Sequence, residues 1–233
     1  MARVTQPVPI VALDVVTAAD ARAIVHRLGR HCRFYKIGSE LFTREGPLVV
    51  RTLRDAGCEV FLDLKFHDIP NTVRAASRAA AALGVRLVTV HAVGGADMVS
   101  AAVEGAGASC GVLAVTVLTS LDAKVLGLAW GRTAVVVATE VLRLAEFAAG
   151  AGAHGIVCSG QEVAPVRAAF GDRLALLVPG IRRSGAESHD QARTSTPSEA
   201  ATAGARYLVL GRAVTAAPDP VAAMVAINRE LAV

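Results

Sequence analysis

The sequence is poor in aromatic residues and has no concentrated block of positive charge. Only 4% of its 233 residues are aromatic, so a core drawn from the 53% hydrophobic residues must consist mainly of Ala, Val and Leu. Lys and Arg are scattered, with no run of five or six, and the formal net charge is +4. Such a pattern does not indicate a nucleic-acid-binding tail or a membrane anchor. We expect a globular protein that binds neither nucleic acid nor membrane.

Disulfide, zinc and targeting patterns are also missing. Cys32, Cys58, Cys110 and Cys158 show no CxxC spacing, so they are interpreted as buried thiols of a reducing compartment. The first residues contain no apolar segment typical of a signal peptide. No apolar run is long enough to span a bilayer. These observations predict a cytoplasmic location.

Short apolar runs rich in β-branched residues alternate with longer Ala-, Leu- and Arg-rich segments. The predicted strands cover residues 9–14, 34–38, 60–65, 86–91, 112–118, 155–158, 174–178 and 207–210. Predicted helices cover residues 17–30, 45–56, 71–83, 96–104, 133–149, 161–169 and 219–231, with a shorter one within 120–130. Residues 180–196 form a long polar connection of the kind that serves as a lid or a disordered insertion.

Strands that alternate with helices predict parallel βαβ units, and eight such strands predict a closed TIM (β/α)8 barrel. The alternative is an open doubly wound sheet, which normally has a GxGxxG turn after its first strand. Here the first strand is followed by DVVTA, starting at Asp14, which disfavours that alternative. No linker divides the chain, so we predict a single barrel domain over residues 1–233.

The carboxyl ends of the predicted strands are polar or glycine-rich, whereas the strand bodies are apolar. These ends carry Asp14, Lys36, Asp63 with Lys65, His91, residues 116–120, Ser159, residues 179–180 and residues 211–212. Catalytic residues of TIM barrels lie at this face. Single positions have simpler explanations: Ser159 is interpreted as a helix cap, and His91 as a histidine of the core or one that supports the site.

The stretch from residue 61 to 72 concentrates this pattern. Because strand residues i and i+2 share a face, Asp63 and Lys65 should project together, opposite Leu62 and Leu64. Pro70 should end the strand, and the side chains of residues 71–72 should cap the helix that follows. An exposed ion pair on an edge strand is the structural alternative.

Three carboxylates and two ammonium groups would meet at one barrel mouth: Asp14, Lys36, Asp63, Lys65 and Asp68. Charges buried there are unfavourable unless they alternate in sign. Lys65 is the candidate acid, because an ammonium held between carboxylates can protonate a carbanion. Schiff-base chemistry is the rival role, but it needs a neutral amine, and neighbouring acids favour the charged form.

Gly211 and Arg212 at the end of the eighth strand match the usual phosphate site of a barrel. Backbone N–H groups and a guanidinium there can hold an anion, although a surface salt bridge would also explain Arg212. No cluster of carboxylates and histidines has metal-ligand spacing, so no metal is expected.

The run DLKFHDIPNT, from Asp63 to Thr72, resembles the signature of the orotidine 5'-phosphate decarboxylase family in its compact bacterial form. Supporting matches are VALD ending at Asp14, KIG from Lys36, VHAVGG at residues 90–95, VTVLTS at 115–120, PGIR at 179–182, DQ at 190–191, TP at 196–197 and LGR ending at Arg212. The resemblance covers essentially the whole chain.

This resemblance implies cofactor-free decarboxylation of orotidine 5'-monophosphate to UMP in de novo pyrimidine synthesis. It implies that Lys65 donates the proton, that Asp63 lies beside the substrate carboxylate, and that Asp68 reaches the active site of a homodimer partner. The other implied substrate contacts are Asp14 and Lys36 to the ribose, Thr119 to the pyrimidine edge, Arg182, Gln191, Gly211 and Arg212 to the phosphate, with Ile69, Thr72 and Pro179 completing the set. Lys36 also belongs to the implied catalytic group.

Two other functions stay open from the sequence. A related barrel that acts on sugar phosphates through a metal-bound enediolate shares the D-x-K-x-x-D spacing, although the continuation IPNT favours the nucleotide enzyme. A catalytically inert barrel that only binds phosphate-bearing ligands is the third possibility, and the complete set of Asp63, Lys65 and Asp68 disfavours it.

Overall fold

The computed structural model describes residues 6–182 and 195–232, and within them eight parallel strands close into a barrel. Each strand pairs with the next in sequence, and the last pairs with the first. The strands are β1 (Val8–Ala12), β2 (Phe34–Gly38), β3 (Glu59–Phe66), β4 (Leu87–His91), β5 (Gly111–Val115), β6 (Gly155–Val157), β7 (Ala175–Val178) and β8 (Tyr207–Leu210). The predicted TIM barrel is confirmed.

Helices follow every strand in the described part of the chain. They are α1 (Ala18–Leu28), α2 (Ser39–Glu45), α3 (Pro47–Asp55), α4 (Pro70–Ala82), α5 (Ala96–Ala106), α6 (Ala123–Trp130), α7 (Val137–Gly150), α8 (Gly160–Phe170), α9 (Pro197–Ala203), α10 (Arg212–Thr215) and α11 (Pro220–Leu231). The short helix expected within residues 120–130 is α6, so that prediction is confirmed.

Three short helices were not predicted from the sequence. The segment assigned to one helix over residues 45–56 is α3, and α2 precedes it, separated by Gly46 at φ +62°. Helices α9 and α10 have only seven and four residues, too few to show a helical period. The start of α9 is nevertheless marked in the sequence: Thr196 and Glu199 form a capping box, and Pro197 occupies the first helical position between them.

The start of α4 differs from the prediction. The helix begins at Pro70, its cap residue is Ile69, and no side chain caps it. Proline suits the first helical position because its φ is fixed and its missing N–H would have no partner there. Residues 71–72 already lie inside the first turn, so they do not serve as caps. By contrast, Ser159 caps α8 in a capping box with Glu162, as predicted.

Two apolar layers hold the barrel. The outer layer fills the space between strands and helices and contains Leu62, with Leu64 packed against it. The inner layer lies inside the barrel and consists of Ile10, Ala12, Phe34, Phe61, Leu87, Leu113, Leu177, Tyr207 and Val209. Phe61 and Leu62 thus face opposite ways, as the strand period requires.

All four cysteines are buried and none forms a disulfide. None of the helices in residues 6–182 and 195–232 is both long and apolar enough to cross a bilayer.

Candidate active site

The inner face of the barrel changes from apolar to charged towards the carboxyl ends of the strands. On β2, Lys36 lies two positions beyond Phe34. On β3, Asp63 lies two positions beyond Phe61, and Lys65 lies two positions beyond Asp63. Because every second strand residue points inward, the same strands place apolar side chains inside the barrel and charged side chains at its carboxyl-end opening.

Asp63 is the centre of the charged cluster. The Lys65 Nζ lies 2.8 Å from its Oδ1, and the Lys36 Nζ lies 3.7 Å from its Oδ2. Lys36 in turn donates to the Oδ1 of Asp14 at 2.9 Å. The side chains of Asp63 and Lys36 are 13% and 12% exposed, whereas that of Asp14 is 65% exposed. The predicted alternation of acids and ammonium groups is therefore present from Asp14 to Lys65.

Asp63 is ionised at neutral pH. Burial by itself raises the pKa of this carboxyl. The ammonium groups of Lys65 and Lys36, and hydrogen bonds from Lys65 and Thr89, more than offset burial, so its pKa lies below the ordinary value. The ion pairs thus keep a nearly buried carboxylate charged at the barrel mouth.

Gly38 leaves room for the ion pair between β1 and β2. A Cβ at this position would stand 3.2 Å from the Lys36 Nζ and 3.6 Å from an Asp14 carboxylate oxygen. A side chain here would crowd the two groups that the resemblance assigns to the ribose.

The charged cluster borders a cavity of about 650 Å³, within the range of small-molecule sites. Its lining joins the ends of β1, β2 and β3 to those of β5, β7 and β8. The predicted residues that line it are Asp14, Lys36, Asp63, Lys65, Thr119, Pro179, Arg182, Gly211 and Arg212.

Three predicted site residues of the described chain do not line this cavity. Asp68, Ile69 and Thr72 lie at the start of α4 and are exposed. The Asp68 Oδ1 accepts the backbone N–H of Ile69 at 2.6 Å, and the Ile69 side chain is 67% exposed. Gln191 falls outside the described residues.

Three polar side chains near the site were not predicted as substrate contacts. Ser120 and Thr215 line the cavity. Thr89 is fully buried on β4, and its hydroxyl donates to the Oδ1 of Asp63 at 2.9 Å. A polar residue inside the apolar run LVTV was the available signal for Thr89.

His91 lies beside the cluster, at the end of β4. It is half-buried, and its ring centroid lies 5.6 Å from that of His67. Burial, followed by electrostatic repulsion from neighbouring groups that include Lys65, lowers the pKa of His91 below its ordinary value, which favours the neutral ring. Its interpretation as a histidine of the core or one that supports the site stays a prediction.

Within residues 6–182 and 195–232, no three His, Cys, Asp or Glu side chains are grouped closely enough to hold a metal ion. The chemical groups available at the mouth are therefore ammonium, carboxylate, guanidinium, hydroxyl and backbone amide groups.

A closed barrel that gathers paired lysines and carboxylates with two arginines at the carboxyl ends of its strands defines the chain as a (β/α)8-barrel enzyme. Residues 7–227 match the model of the orotidine 5'-phosphate decarboxylase / HUMPS family. The chain belongs to this family.

Curated relatives and solved structures agree with the assignment. The chain is 55% identical over 219 residues to the orotidine 5'-phosphate decarboxylase of Anaeromyxobacter sp. (strain K), covering 93% of this chain and 94% of that protein. It is 50% identical over 230 residues to the enzyme of that name from Halorhodospira halophila, covering 96% and 95%. The crystal structure of orotidine 5'-phosphate decarboxylase from Lactobacillus acidophilus superposes with a TM-score of 0.87 at 39% identity, covering 98% of this chain and all of that one.

Proposed function

We propose that this chain decarboxylates orotidine 5'-monophosphate to UMP without a metal or an organic cofactor. As an enzyme of this family, with relatives at 50–55% identity that bear the decarboxylase name, it is a carboxy-lyase. The observation that carries the proposal is the Lys65 Nζ, 2.8 Å from Asp63, beside a cavity that two arginines also line.

The reaction replaces a carboxylate at C6 of the pyrimidine with a proton. When the C6–carboxylate bond breaks, CO2 leaves and the electron pair stays on C6. The Lys65 ammonium balances the developing negative charge and transfers one proton to that carbon. Lys65 is left as a neutral amine, which regains its proton from water.

Asp63 has two roles in this proposal. Its charge orients the Lys65 ammonium through the 2.8 Å contact. It would also lie beside the bound substrate carboxylate, and repulsion between the two carboxylates would disfavour the ground state relative to the carbanion. Lys36 limits the repulsion between Asp63 and Asp14, because it contacts both.

Contacts remote from C6 would hold the nucleotide. Asp14 and Lys36 suit the ribose hydroxyls, Thr119 on the β5 side suits the pyrimidine edge, and Arg182 with Arg212 suits the phosphate. Binding energy from the phosphate can then support catalysis at the base.

We further propose a homodimer in which Asp68 completes the partner's site. Asp68 does not line the cavity of its own chain, and the neighbouring Ile69 exposes an apolar side chain. An exposed isoleucine next to an exposed acid is consistent with a surface that a second copy covers. Ile69 and Thr72 would join Asp68 at the partner's substrate.

The metabolic setting follows from the reaction. UMP formation by decarboxylation is the last step of de novo pyrimidine synthesis, and its substrate is a soluble nucleotide. The cytoplasmic location stays a prediction, supported by four cysteines that are buried as thiols.

Release of CO2 from orotidine 5'-monophosphate by the purified protein tests the proposed function. We expect turnover that is unchanged after dialysis against EDTA. No CO2 release from this nucleotide, together with activity on a sugar phosphate that EDTA abolishes, would support the alternative with its metal-bound enediolate. Nucleotide binding without CO2 release would support the inert phosphate-binding barrel.

Replacement of Arg212 by alanine should weaken phosphate binding. A charge-assisted hydrogen bond contributes about 1.5–3 kcal/mol, so we expect kcat/KM to fall roughly 10- to 100-fold, mainly through a higher KM. Steady-state kinetics measure this change. Arg229→Ala, on the exposed face of α11, is the matched control and should behave as wild type. An unchanged kcat/KM in Arg212→Ala would show that the phosphate binds elsewhere.

A mixed dimer tests the role of Asp68. Lys65→Ala and Asp68→Ala are co-expressed with different tags, and the heterodimer is isolated. If Asp68 acts in the partner's site, one site carries both changes and the other carries neither, so about half of wild-type activity returns. If Asp68 acts within its own chain, each site carries one change and the mixed dimer stays inactive.

A further inference from the structure

Strands β3 and β4 pair with an irregular register beside the charged cluster. Leu62 pairs with Val88, and the next pair is Phe66 with Val90. Three residues of β3, Asp63 to Lys65, therefore stand opposite the single residue Thr89. This is a β-bulge, which interrupts the ladder and redirects side chains.

The Thr89 hydroxyl forms hydrogen bonds with two residues of this bulge. Its Oγ1 accepts the backbone N–H of Lys65 at 2.9 Å and donates to the Oδ1 of Asp63 at 2.9 Å. The same Asp63 oxygen accepts the Lys65 Nζ at 2.8 Å. One hydroxyl thus contacts the backbone of the lysine and the carboxylate that the lysine binds.

Lys65 needs such support because its backbone is strained. Its φ is +53°, and among the described residues it is the only non-glycine with a positive φ. This conformation is disfavoured for residues with a Cβ and persists only where surrounding contacts enforce it. The hydrogen bond from the Lys65 N–H to the Thr89 hydroxyl gives this donor a partner where the strand register shifts.

We propose that Thr89 is a positioning residue, which fixes the strained Lys65 backbone and the Asp63 carboxylate so that the Lys65 ammonium is held in place. Its catalytic consequence rests on the proposed function. Thr89 acts through Lys65 and Asp63, is fully buried, and does not line the cavity. Its loss should therefore lower kcat and leave substrate binding nearly unchanged.

Three variants separate positioning from a general effect on stability. Thr89→Val keeps the shape and removes the hydroxyl, and Thr89→Ser keeps the hydroxyl. Thr116→Val is the matched control, because Thr116 is a buried threonine just beyond β5 that does not line the cavity and whose hydroxyl donates to the Val157 carbonyl instead of to a charged side chain. Thermal unfolding of Thr89→Val and Thr116→Val compares their structural effects.

Steady-state kinetics give the first readout. A misplacement of about 1 Å at a catalytic group can lower the rate about 100-fold, and we expect a loss of that order in kcat for Thr89→Val. KM should stay within about threefold, and Thr89→Ser and Thr116→Val should both remain near wild type. A kcat of Thr89→Val equal to that of Thr116→Val overturns the proposal.

Lysine-selective NMR gives a second readout that does not depend on turnover. The chain has only three lysines, at positions 36, 65 and 124, so each side-chain signal can be assigned with a Lys→Arg variant. We expect the Lys65 signal to shift in Thr89→Val and to keep its position in Thr89→Ser and Thr116→Val. An unmoved Lys65 signal in Thr89→Val overturns the proposal.

The two readouts distinguish this proposal from the function on which it rests. A wild-type protein that releases no CO2 overturns the decarboxylase function, and the NMR comparison alone then decides whether Thr89 positions Lys65. Should Thr89→Val fail to fold, Thr89→Cys takes its place, since a thiol is a weak donor of similar size. Wild-type kinetics and an unmoved Lys65 signal in Thr89→Cys would then contradict the positioning role.

Discussion

Lys65→Ala is expected to abolish turnover while the protein still binds UMP. General acid catalysis contributes about 10²- to 10⁴-fold, and a fixed charge at the developing anion contributes about 10²- to 10³-fold more. Because one ammonium would supply both effects, we expect kcat to fall at least about 10⁴-fold. Release of CO2 measures turnover, and calorimetry with UMP measures binding.

The chain offers a direct control for this prediction. Lys124 is an exposed lysine of α6, and it is the one lysine outside the charged cluster. Lys124→Ala should keep wild-type kinetics. A Lys65→Ala variant with kcat near that of Lys124→Ala would rule out Lys65 as the proton donor.

Asp63→Asn is expected to lower kcat by about 10³-fold, because the amide cannot orient the Lys65 ammonium by charge. It should also lower the free energy of unfolding by roughly 2–4 kcal/mol, since Lys36 and Lys65 lose the carboxylate between them. Kinetics and urea unfolding measure the two effects. Asp14→Asn is the control for stability, because Asp14 is 65% exposed and its ion pair with Lys36 is screened by water.

The pH dependence of stability gives Asp63→Asn a further signature. The pKa of Asp63 is lowered in the folded protein, so its contribution to stability is complete above the unfolded-state pKa of about 3.9. That contribution disappears as the pH falls through the lower folded-state pKa. The difference in stability between wild type and Asp63→Asn should therefore be largest near pH 7 and shrink below about pH 4. A difference that does not change with pH would show that Asp63 is not a paired carboxylate.

The sequence was informative wherever a regular period repeats. Eight apolar runs predicted the eight strands, and the polar residues after those runs predicted most of the charged side chains that line the cavity. The pattern failed for α2, α9 and α10, because four to seven residues do not establish a helical period.

The pairing of Asp63 and Lys65 was predicted, but strand alternation explains only part of its cause. Simple alternation puts both side chains on one face, and they are indeed in contact. The bulge, the φ of +53° at Lys65 and the hydroxyl of Thr89 also determine this contact. None of these follows from alternation within one strand, since a register shift depends on how two strands pair.

The roles of some predicted site residues cannot be read from a single chain. Asp68, Ile69 and Thr72 are exposed and do not line the cavity of their own barrel, so the role proposed for them requires a second copy. Gln191 lies outside the described residues, and its assignment to the phosphate stays a prediction.

A crystal structure of the protein with UMP tests the central claim most directly. Proton transfer requires the donor within hydrogen-bond reach of the carbon it protonates, so we expect the Lys65 Nζ about 3 Å from C6, still paired with Asp63. The phosphate should contact Arg212. A complex in which C6 lies beyond reach of the Lys65 Nζ, or in which that nitrogen leaves Asp63 and turns into solvent, would contradict the claim.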